Sequence, residues 1–263
     1  FLPSEGKIKT EIKYNNSSIF KKIMRYYLLI ALVFLFFAIN HELNLHKKSA
    51  VRNVLIKWPI YLLITGTIAV FAYHTYGLVI RWYLTGHAPW SNGYEALIFI
   101  SWAAVLSGFI FLKYSKIVLP GAALIASIII WVAGLETMDP QLTALVPVLK
   151  SYWLIIHVAC MTSSYGFFGL GAILGFIVLF MMLFKTKSNG KQMNLSINGL
   201  TYINEMIVTI GLILAAIGTF LGGVWANESW GRYWGWDAKE TWALIIVLAY
   251  AMQLHFRFVP GFV

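Results

Sequence analysis

Residues 225–242 read W-A-N-E-S-W-G-R-Y-W-G-W-D-A-K-E-T-W and separate two long apolar runs. This stretch, called here the Trp-rich segment, holds five of the eleven tryptophans in the chain, with five charged residues and two glycines. Tryptophans that only anchor a membrane protein are distributed over both membrane interfaces. A dense cluster of flat, amphipathic rings with charges between them instead indicates a surface for a large, flat, partly charged ligand.

The composition of the 263-residue chain is that of an integral membrane protein. Hydrophobic residues make up 60% and charged residues only 11%, whereas a soluble domain carries about a quarter of charged residues. The apolar runs therefore predict an all-α, polytopic membrane fold with about seven transmembrane helices. The predicted spans are 23–39, 58–80, 94–112, 117–135, 152–184, 202–224 and 242–258.

Lysine-rich loops alternate along the chain with loops that carry few basic residues. The lysine-rich loops are 45–57, 113–116 and 185–201, and the others are 81–93, 136–151 and 225–241. The positive-inside rule predicts that the first set is cytoplasmic and that the Trp-rich segment is exterior. Lys21, Lys22 and Arg25 do not follow this rule, because they fall at the exterior end of the first span. The net charge of +10 reflects these loops and does not indicate a nucleic-acid partner.

Histidines in the predicted spans are candidate ligands, since a polar side chain in the membrane is costly. His157 lies six residues into its span, about 9 Å from the exterior end, near the Trp-rich segment. His255 follows Asp237 by eighteen residues, or about 27 Å of helix, which predicts a second, inner site. Two sites at different depths suggest that a ligand passes from inside to outside. His74 and Arg81 share one helix face and either point at the outer site or have structural roles.

The ligand that fits this pattern is a heme. Its flat ring stacks on tryptophan, its iron takes an imidazole, and Arg81, Arg232 or Lys239 would pair with its propionates. A quinone also stacks but needs no axial histidine. The carboxylates are too few and scattered for a hydrolase, and we predict no catalytic acid or base. Asp237 and Glu240 also fit a helix-capping arrangement, which is compatible with a ligand role for Asp237.

One motif within the Trp-rich segment resembles that of a known family. Residues 230–242, W-G-R-Y-W-G-W-D-A-K-E-T-W, resemble the WWD signature of the heme-handling proteins of cytochrome c biogenesis, in the form found in system II cytochrome c synthases. These are CcsA and the fused CcsBA. Residues 86–95 and 151–158 also resemble that family. The resemblance covers 56–263 and predicts a CcsA-like heme-handling domain at 46–263. Residues 1–45 resemble the end of the exterior part of CcsB plus one transmembrane helix, as in the rear part of the fusion.

The resemblance implies a site and an activity. His157 would be an axial ligand of an outer heme b, and His255 of an inner one. The outer platform would include the following residues of the Trp-rich segment: Trp225, Trp230, Trp234, Trp236, Asp237 and Trp242. The implied enzyme carries heme across the bacterial inner membrane and positions it on the periplasmic side. There it attaches the heme to the CxxCH motif of apocytochrome c through thioethers, as a heme lyase.

We expect this chain to be incomplete as a synthase. The second outer histidine and the second inner histidine of the family have no counterpart here, and a CcsB-like portion would supply the inner one with a large exterior domain. Apocytochrome c, that portion and membrane lipid are the expected partners. Two alternatives stay open. One is a CcmC-type heme transporter or chaperone without ligase activity. The other is a non-heme transporter or assembly subunit whose tryptophans form an interfacial belt.

Overall fold

The computed structural model describes residues 5–44, 50–135, 138–142, 151–185 and 190–259. Within these ranges the chain forms helices and short connections, without β-strands. The helices are α1 Glu5–Ser17, α2 Ile19–Asn44, α3 Ala50–Thr85, α4 Gly93–Phe111, α5 Val118–Ala133, α6 Tyr152–Leu183, α7 Gly190–Trp230 and α8 Ala238–His255, followed by the 3₁₀ turn Phe256–Phe258. The predicted all-α fold is confirmed. A helix satisfies its own backbone polar groups, which hydrocarbon requires of any spanning segment.

Six helical stretches among the described residues are long and apolar enough to cross a membrane. The first is Glu5–Asn40, which contains α1 and most of α2 and turns at Ser18, where φ is +48°. The predicted span at 117–135 corresponds to α5, which has only 16 residues and is a shorter apolar helix. Together with α5, these six make seven apolar helical stretches among the described residues, which agrees with the predicted polytopic membrane protein.

Several helices extend beyond the predicted spans. Residues 5–17, within the part predicted to be the end of an exterior segment, form α1. Helix α7 has 41 residues and includes both part of the predicted loop at 185–201 and the first six residues of the Trp-rich segment. Hydropathy identifies only the apolar part of such a helix, because the polar residues that continue the helix into water fall outside the apolar run.

One end of the bundle carries the Trp-rich segment, and we call it the Trp end. The indole Nε1 of Trp90 donates to the carbonyl of Ile155 over 3.1 Å, which joins the α3–α4 connection to α6. The hydroxyl of Ser151 lies 3.4 Å from Oε2 of Glu228 near the end of α7. These contacts bring the beginnings of α4 and α6 beside the end of α7, so the predicted exterior loops share one end of the molecule.

Small residues allow the central helices to approach one another closely. A Cβ atom at Gly166 in α6 would lie only 2.8 Å from the backbone nitrogen of Ala104 and 2.9 Å from the carbonyl oxygen of Ile100 in α4. A Cβ at Gly108 would lie 2.5 Å from that of Ala122 in α5. Membrane helices associate largely through such close packing, since lipid tails supply no hydrophobic drive between them. The contact at Gly166 holds α6, which carries His157, against α4, and the contact at Gly108 holds α4 against α5.

Helix α8 is peripheral in comparison. None of its residues is buried. Its firmest contact is Tyr250, whose ring stacks on that of Phe168 in α6 at 3.7 Å with an interplanar angle of 2°. Since none of its residues is buried, α8 meets α7, the helix on the other side of the Trp-rich segment, along a sparse interface that is open to the surroundings.

Candidate functional site

His157 is held by the facing helix, α7. Its Nδ1 lies 2.6 Å from the carbonyl oxygen of Gly218. A carbonyl oxygen only accepts hydrogen bonds, so Nδ1 carries the hydrogen and the neutral ring has its lone pair on Nε2. This is the arrangement in which a backbone carbonyl orients a metal-binding histidine and fixes its tautomer. The half-buried imidazole is thereby prepared to give Nε2 to a metal.

Two glycines of α7 make room for α6 at this point. A Cβ atom at Gly222 would lie 2.6 Å from Cε1 of His157 and 2.8 Å from its Nδ1. One turn earlier, a Cβ at Gly218 would lie 2.8 Å from Sδ of Met161. The imidazole edge thus rests directly on the backbone of α7, three residues before the Trp-rich segment begins.

The contact of His157 with Gly218 and Gly222 was not predicted from the sequence. Gly218 and Gly222 are spaced as G-x-x-x-G within an apolar run, which is a signal for close packing of membrane helices. The motif could have identified α7 as a helix that packs closely on a partner. It does not name the partner helix or the side chain that fills the space.

The tryptophans of the segment form two edge-to-face pairs. The ring centroids of Trp225 and Trp230 lie 4.7 Å apart at 67°, and those of Trp234 and Trp236 lie 5.8 Å apart at 83°. Trp230, Trp236 and Trp242 expose 53%, 71% and 64% of their surface. A group of half-exposed, mutually tilted rings offers several apolar faces and edges to one large ligand.

Two indole nitrogens of the segment are buried without a partner. They are Nε1 of Trp225 and Nε1 of Trp234, which have no hydrogen-bond acceptor among the described residues. A buried donor without an acceptor costs free energy, and the exceptions to the rule that such groups are paired need an explanation. An acceptor-bearing ligand on the segment would supply one.

The connection between α7 and α8 turns sharply and is capped. Gly231 and Trp236 have φ angles of +70° and +58°, which reverse the chain between the helices. The side chain of Asp237 accepts from the backbone nitrogen of Glu240 over 2.8 Å. Oε2 of Glu240 accepts from the backbone nitrogens of Asp237 and Gly235 at 3.3 and 2.7 Å. The predicted capping arrangement is confirmed. Both carboxylates therefore stabilise the start of α8.

The cationic side chains of the segment lie on its outer surface. Arg232 and Lys239 are both exposed. The guanidinium of Arg232 lies against Gly235, where a Cβ atom would be 2.7 Å from Cζ. Neither cation is committed to an ion pair within the described part of the chain. Both positive charges are thus available to an anionic group beside the tryptophans.

An apolar groove runs between α7 and α8 below the segment. Its volume is about 330 Å³. Gly223, Phe220, Tyr233, Trp234 and Leu244 contribute to its walls. The connection folds back onto α7 here, since a Cβ at Gly223 would lie 3.2 Å from the carbonyl oxygen of Tyr233. The groove extends the apolar surface of the tryptophans toward the middle of the bundle.

His74 and Arg81 lie at the Trp end but contact other elements. His74 is fully buried, with Nε2 3.1 Å from the carbonyl oxygen of Ile98 and Nδ1 3.4 Å from the hydroxyl of Tyr27. Nε2 donates to that carbonyl, and Nδ1 accepts from the tyrosine, so neither nitrogen has a free lone pair. These are the contacts of a structural histidine. Its part in ligand binding stays a prediction.

Arg81 is also fully buried and forms an ion pair. Its Nε lies 2.8 Å from Oε1 of Glu95, and both side chains are 1% exposed. Its remaining nitrogens donate to the carbonyls of Pro140 and Gln141 over 2.9 and 2.8 Å. The backbone nitrogen of Ser91 donates to the other oxygen of Glu95. The guanidinium thus joins three elements at the Trp end, and its predicted pairing with a ligand is not among these contacts.

His255 lies at the opposite end of α8. Helix α8 has 18 residues, which is about 27 Å of helix, so His255 is remote from the segment that begins the helix. Its Nδ1 lies 2.7 Å from the carbonyl oxygen of Ala251, which leaves Nε2 free as in His157. Arg257 pairs with Glu205 of α7 close by. The structure thus keeps the two predicted ligand histidines apart.

A heme fits these donors better than a bare metal ion does. No group of three or more His, Cys, Asp or Glu side chains that could hold a metal ion occurs in the residues covered by the structure. A single imidazole with a free Nε2 suits an iron whose four equatorial ligands come from a macrocycle. The exposed rings and the two free cations would meet the faces and the carboxylates of that macrocycle.

Sequence comparisons identify similar proteins of known family. Residues 90–262 match the family model of the cytochrome C assembly protein. The chain is 42% identical over 256 residues to protein NrfI of Wolinella succinogenes, covering 97% of this chain and 28% of NrfI. It is 36% identical over 197 residues to the cytochrome c biogenesis protein CcsA of Chlamydomonas reinhardtii, covering 70% of this chain and 54% of that protein. CcsA of Prochlorococcus marinus is 35% identical over 218 residues, covering 70% of this chain and 68% of that protein. The chain therefore spans about a quarter of NrfI and about half of the algal CcsA.

Proposed function

Because the chain belongs to the cytochrome c assembly protein family, we propose that it is the heme-handling membrane part of a system II cytochrome c synthase. In this proposal it receives heme b near His255 and holds it on the Trp-rich segment with His157. Apocytochrome c is the protein substrate. The polytopic helical fold agrees with such a role, since heme is an apolar cargo that has to cross a bilayer.

The main support for the proposal is the way in which α7 holds the imidazole of His157. Its Nδ1 is hydrogen-bonded to the carbonyl of Gly218, its ring edge lies on Gly222, and its Nε2 keeps its lone pair, on a part of α7 that leads into the Trp-rich segment three residues later. A carbonyl that engages one ring nitrogen raises the basicity of the other as a metal ligand. An imidazole held in this way binds an iron in one orientation, and the iron fixes the position of the vinyl groups.

The chemistry of attachment would belong to the substrates. When each cysteine thiol of a CxxCH motif adds to a heme vinyl, sulfur bonds to one vinyl carbon and the thiol hydrogen goes to the other. This addition needs no net oxidation or reduction. Two of the three carboxylates in the Trp-rich segment, Asp237 and Glu240, are engaged in capping α8, and the third, Glu228, accepts from the hydroxyl of Ser151. The chain would therefore contribute by binding and orientation. The substrate's own histidine would then replace His157 on the iron and release the product.

The two ends of α8 support a transfer from one membrane face to the other. The Trp-rich segment begins α8 and His255 ends it, and the helix between them is about as long as the hydrocarbon is thick. His157 and His255 each have an Nε2 that keeps its lone pair. Lys113 and Lys116 follow α4 at the end opposite the Trp-rich segment. By the positive-inside rule this end is cytoplasmic. We place the protein in a bacterial inner membrane, with the segment on the periplasmic side.

The test replaces His157 by Gly in the complete protein. We expect the heme bound at the outer site, measured by its Soret absorbance, to fall strongly and to return when imidazole is added. Heme is added directly to the purified protein, so that the outer site fills without delivery from the inner one. His255→Gly is then the matched control, because it removes the imidazole of the proposed inner site and leaves the Trp-rich segment intact. If outer heme binding and attachment persist in His157→Gly without imidazole, the role assigned to His157 is wrong.

A heme chaperone without ligase activity is the second candidate, and the capped carboxylates favour it. A site that offers only stacking, cations and an imidazole is sufficient for binding heme. The pyridine hemochrome of the coexpressed cytochrome separates the two, since its band position differs between heme with free vinyls and heme with thioethers. Thioethers that require this chain support the synthase. A purified complete protein without any Soret band would instead support a non-heme transporter or assembly subunit.

A further inference from the structure

A second large cavity opens at the Trp end, away from the Trp-rich segment. It lies between the α1–α2 turn, the end of α5 and residues 138–142, and its volume is about 700 Å³. Three cationic side chains line it: Lys21, Arg25 and Arg81. Among the described residues that line it, Glu11 is the one carboxylate and none is a histidine, so these residues offer a heme iron no imidazole.

Two of the three cations are available to a ligand. Arg81 is engaged by Glu95 and by the carbonyls of residues 140 and 141. Lys21 and Arg25 lie four residues apart on one face of α2, where side chains are neighbours. Neither forms an ion pair within the described ranges. Two adjacent cations without an ion-pair partner repel each other, and an anion bound between them would be attracted to both and offset that repulsion.

These cations are also the exception to the charge pattern of the chain. Lys21 and Arg25 belong to the basic group at the end of the first span that the positive-inside rule assigns to the exterior. Basic residues at a membrane face attract anionic lipid headgroups, and basic pockets between transmembrane helices bind them. An anionic ligand in this cavity would account for basic residues on that side.

A further part of the lining is apolar and belongs to α2 and α5, two of the apolar helices. Phe20 and Met24 of α2 face Ile130 and Trp131 of α5 across the cavity. Trp131 exposes 58% of its surface. Charges at the rim and hydrocarbon below match an amphiphile, whose head and tail need different surroundings. The tyrosines that reach the cavity, Tyr14 and Tyr94, add a hydroxyl group each near its polar end.

We propose that this cavity binds an anionic phospholipid, with its phosphate between Lys21 and Arg25 and an acyl chain between α2 and α5. The bound lipid would fill the gap beside the buried Arg81–Glu95 pair and stiffen the Trp end. The proposal does not depend on heme binding by the Trp-rich segment, because the two cavities share no lining residue.

The experiment uses the complete protein, stripped of lipid in a neutral detergent. Binding of phosphatidylglycerol is measured by native mass spectrometry, with phosphatidylcholine and inorganic phosphate as comparison ligands. Each cation near an anionic headgroup contributes a factor of about five to the affinity. We therefore expect Arg25→Gln to weaken phosphatidylglycerol binding about fivefold and Lys21→Gln/Arg25→Gln about 25-fold. Phosphatidylcholine binding should be weaker in the parent protein and change little.

Lys22→Gln is the matched control. Lys22 adjoins Lys21 and carries the same charge, but it does not line the cavity. Equal loss of binding in Lys22→Gln and Arg25→Gln would reveal a general surface-charge effect and overturn the site. Equal affinity for the two phospholipids, or displacement of lipid by inorganic phosphate at comparable concentration, would also overturn it. If another part of the complete protein occupies the cavity, the parent protein binds no lipid there and the proposal fails.

Discussion

Replacing Gly222 by Ala tests the packing of His157 against α7 without substituting the histidine itself. The new Cβ would lie 2.6 Å from Cε1 of His157, about 1 Å inside the usual carbon–carbon contact distance. The atom that it meets belongs to the imidazole of His157. Because this ring is hydrogen-bonded to Gly218, it cannot rotate away without breaking that bond. The ring must move, or α6 and α7 must separate. Overpacking of this kind costs about 1–3 kcal/mol.

The expected functional result is a weaker outer heme site. Loss of the hydrogen bond that orients a metal-binding histidine reduces metal affinity about 10- to 100-fold. We expect the heme dissociation constant of the outer site to rise by such a factor in Gly222→Ala, as measured by Soret titration of the complete protein. The inner site at His255 should keep its affinity, because it lies at the far end of α8.

Gly199→Ala is the matched control for this measurement. Gly199 lies on the same helix, and a Cβ there meets no atom within 4 Å. It changes helix propensity as Gly222→Ala does and creates no clash. If Gly222→Ala remains folded and binds outer heme as tightly as Gly199→Ala, the packing of His157 against Gly222 does not affect heme affinity. The inference from His157 and its tautomer would then be refuted.

Two further substitutions test how the bundle supports the site. Arg81→Met leaves the carboxylate of Glu95 buried without its cation, and breaking a buried pair in this way costs about 3–5 kcal/mol. We expect a large fall in the thermal unfolding midpoint, and the double variant Arg81→Met/Glu95→Leu should recover part of it. A double variant as unstable as the single one would contradict this account. Gly166→Ala puts a Cβ 2.8 Å from the backbone of α4, and we expect a loss of about 1–3 kcal/mol. Its control is Gly175→Ala on the same helix, where the nearest atom is 3.7 Å away, and equal midpoints of the two variants would refute the close approach.

Local features of the sequence predicted much of the fold. Long apolar runs predicted the transmembrane helices, because a spanning segment has to be apolar along its own length. The carboxylates at 237 and 240 predicted the cap of α8, because both partners of a capping box lie within one helical turn. The W-G-R-Y-W-G-W-D-A-K-E-T-W motif predicted the family, which the comparisons confirm. Each of these features is contained within one short stretch of chain.

Local sequence reasoning left the partners of Arg81 and His74 open. Both side chains share a helix face that was expected to point either at a ligand or into the structure. The ion pair with Glu95 and the hydrogen bonds to Tyr27 and Ile98 appear only when α2, α3 and α4 are packed together. A polar group in a low-dielectric interior takes the partner that packing brings to it, and sequence spacing does not reveal that partner.

The sequence by itself determined the polytopic, all-helical character of the chain and the gathering of tryptophans between one pair of helices. It also predicts that His157 and His255 lie at different depths. The tertiary structure alone decided which nitrogen of His157 is free. That choice depends on the carbonyl of Gly218, which is 61 residues away in sequence and reaches the ring because two glycines let α6 and α7 touch. Helix packing brings together residues that no local pattern relates.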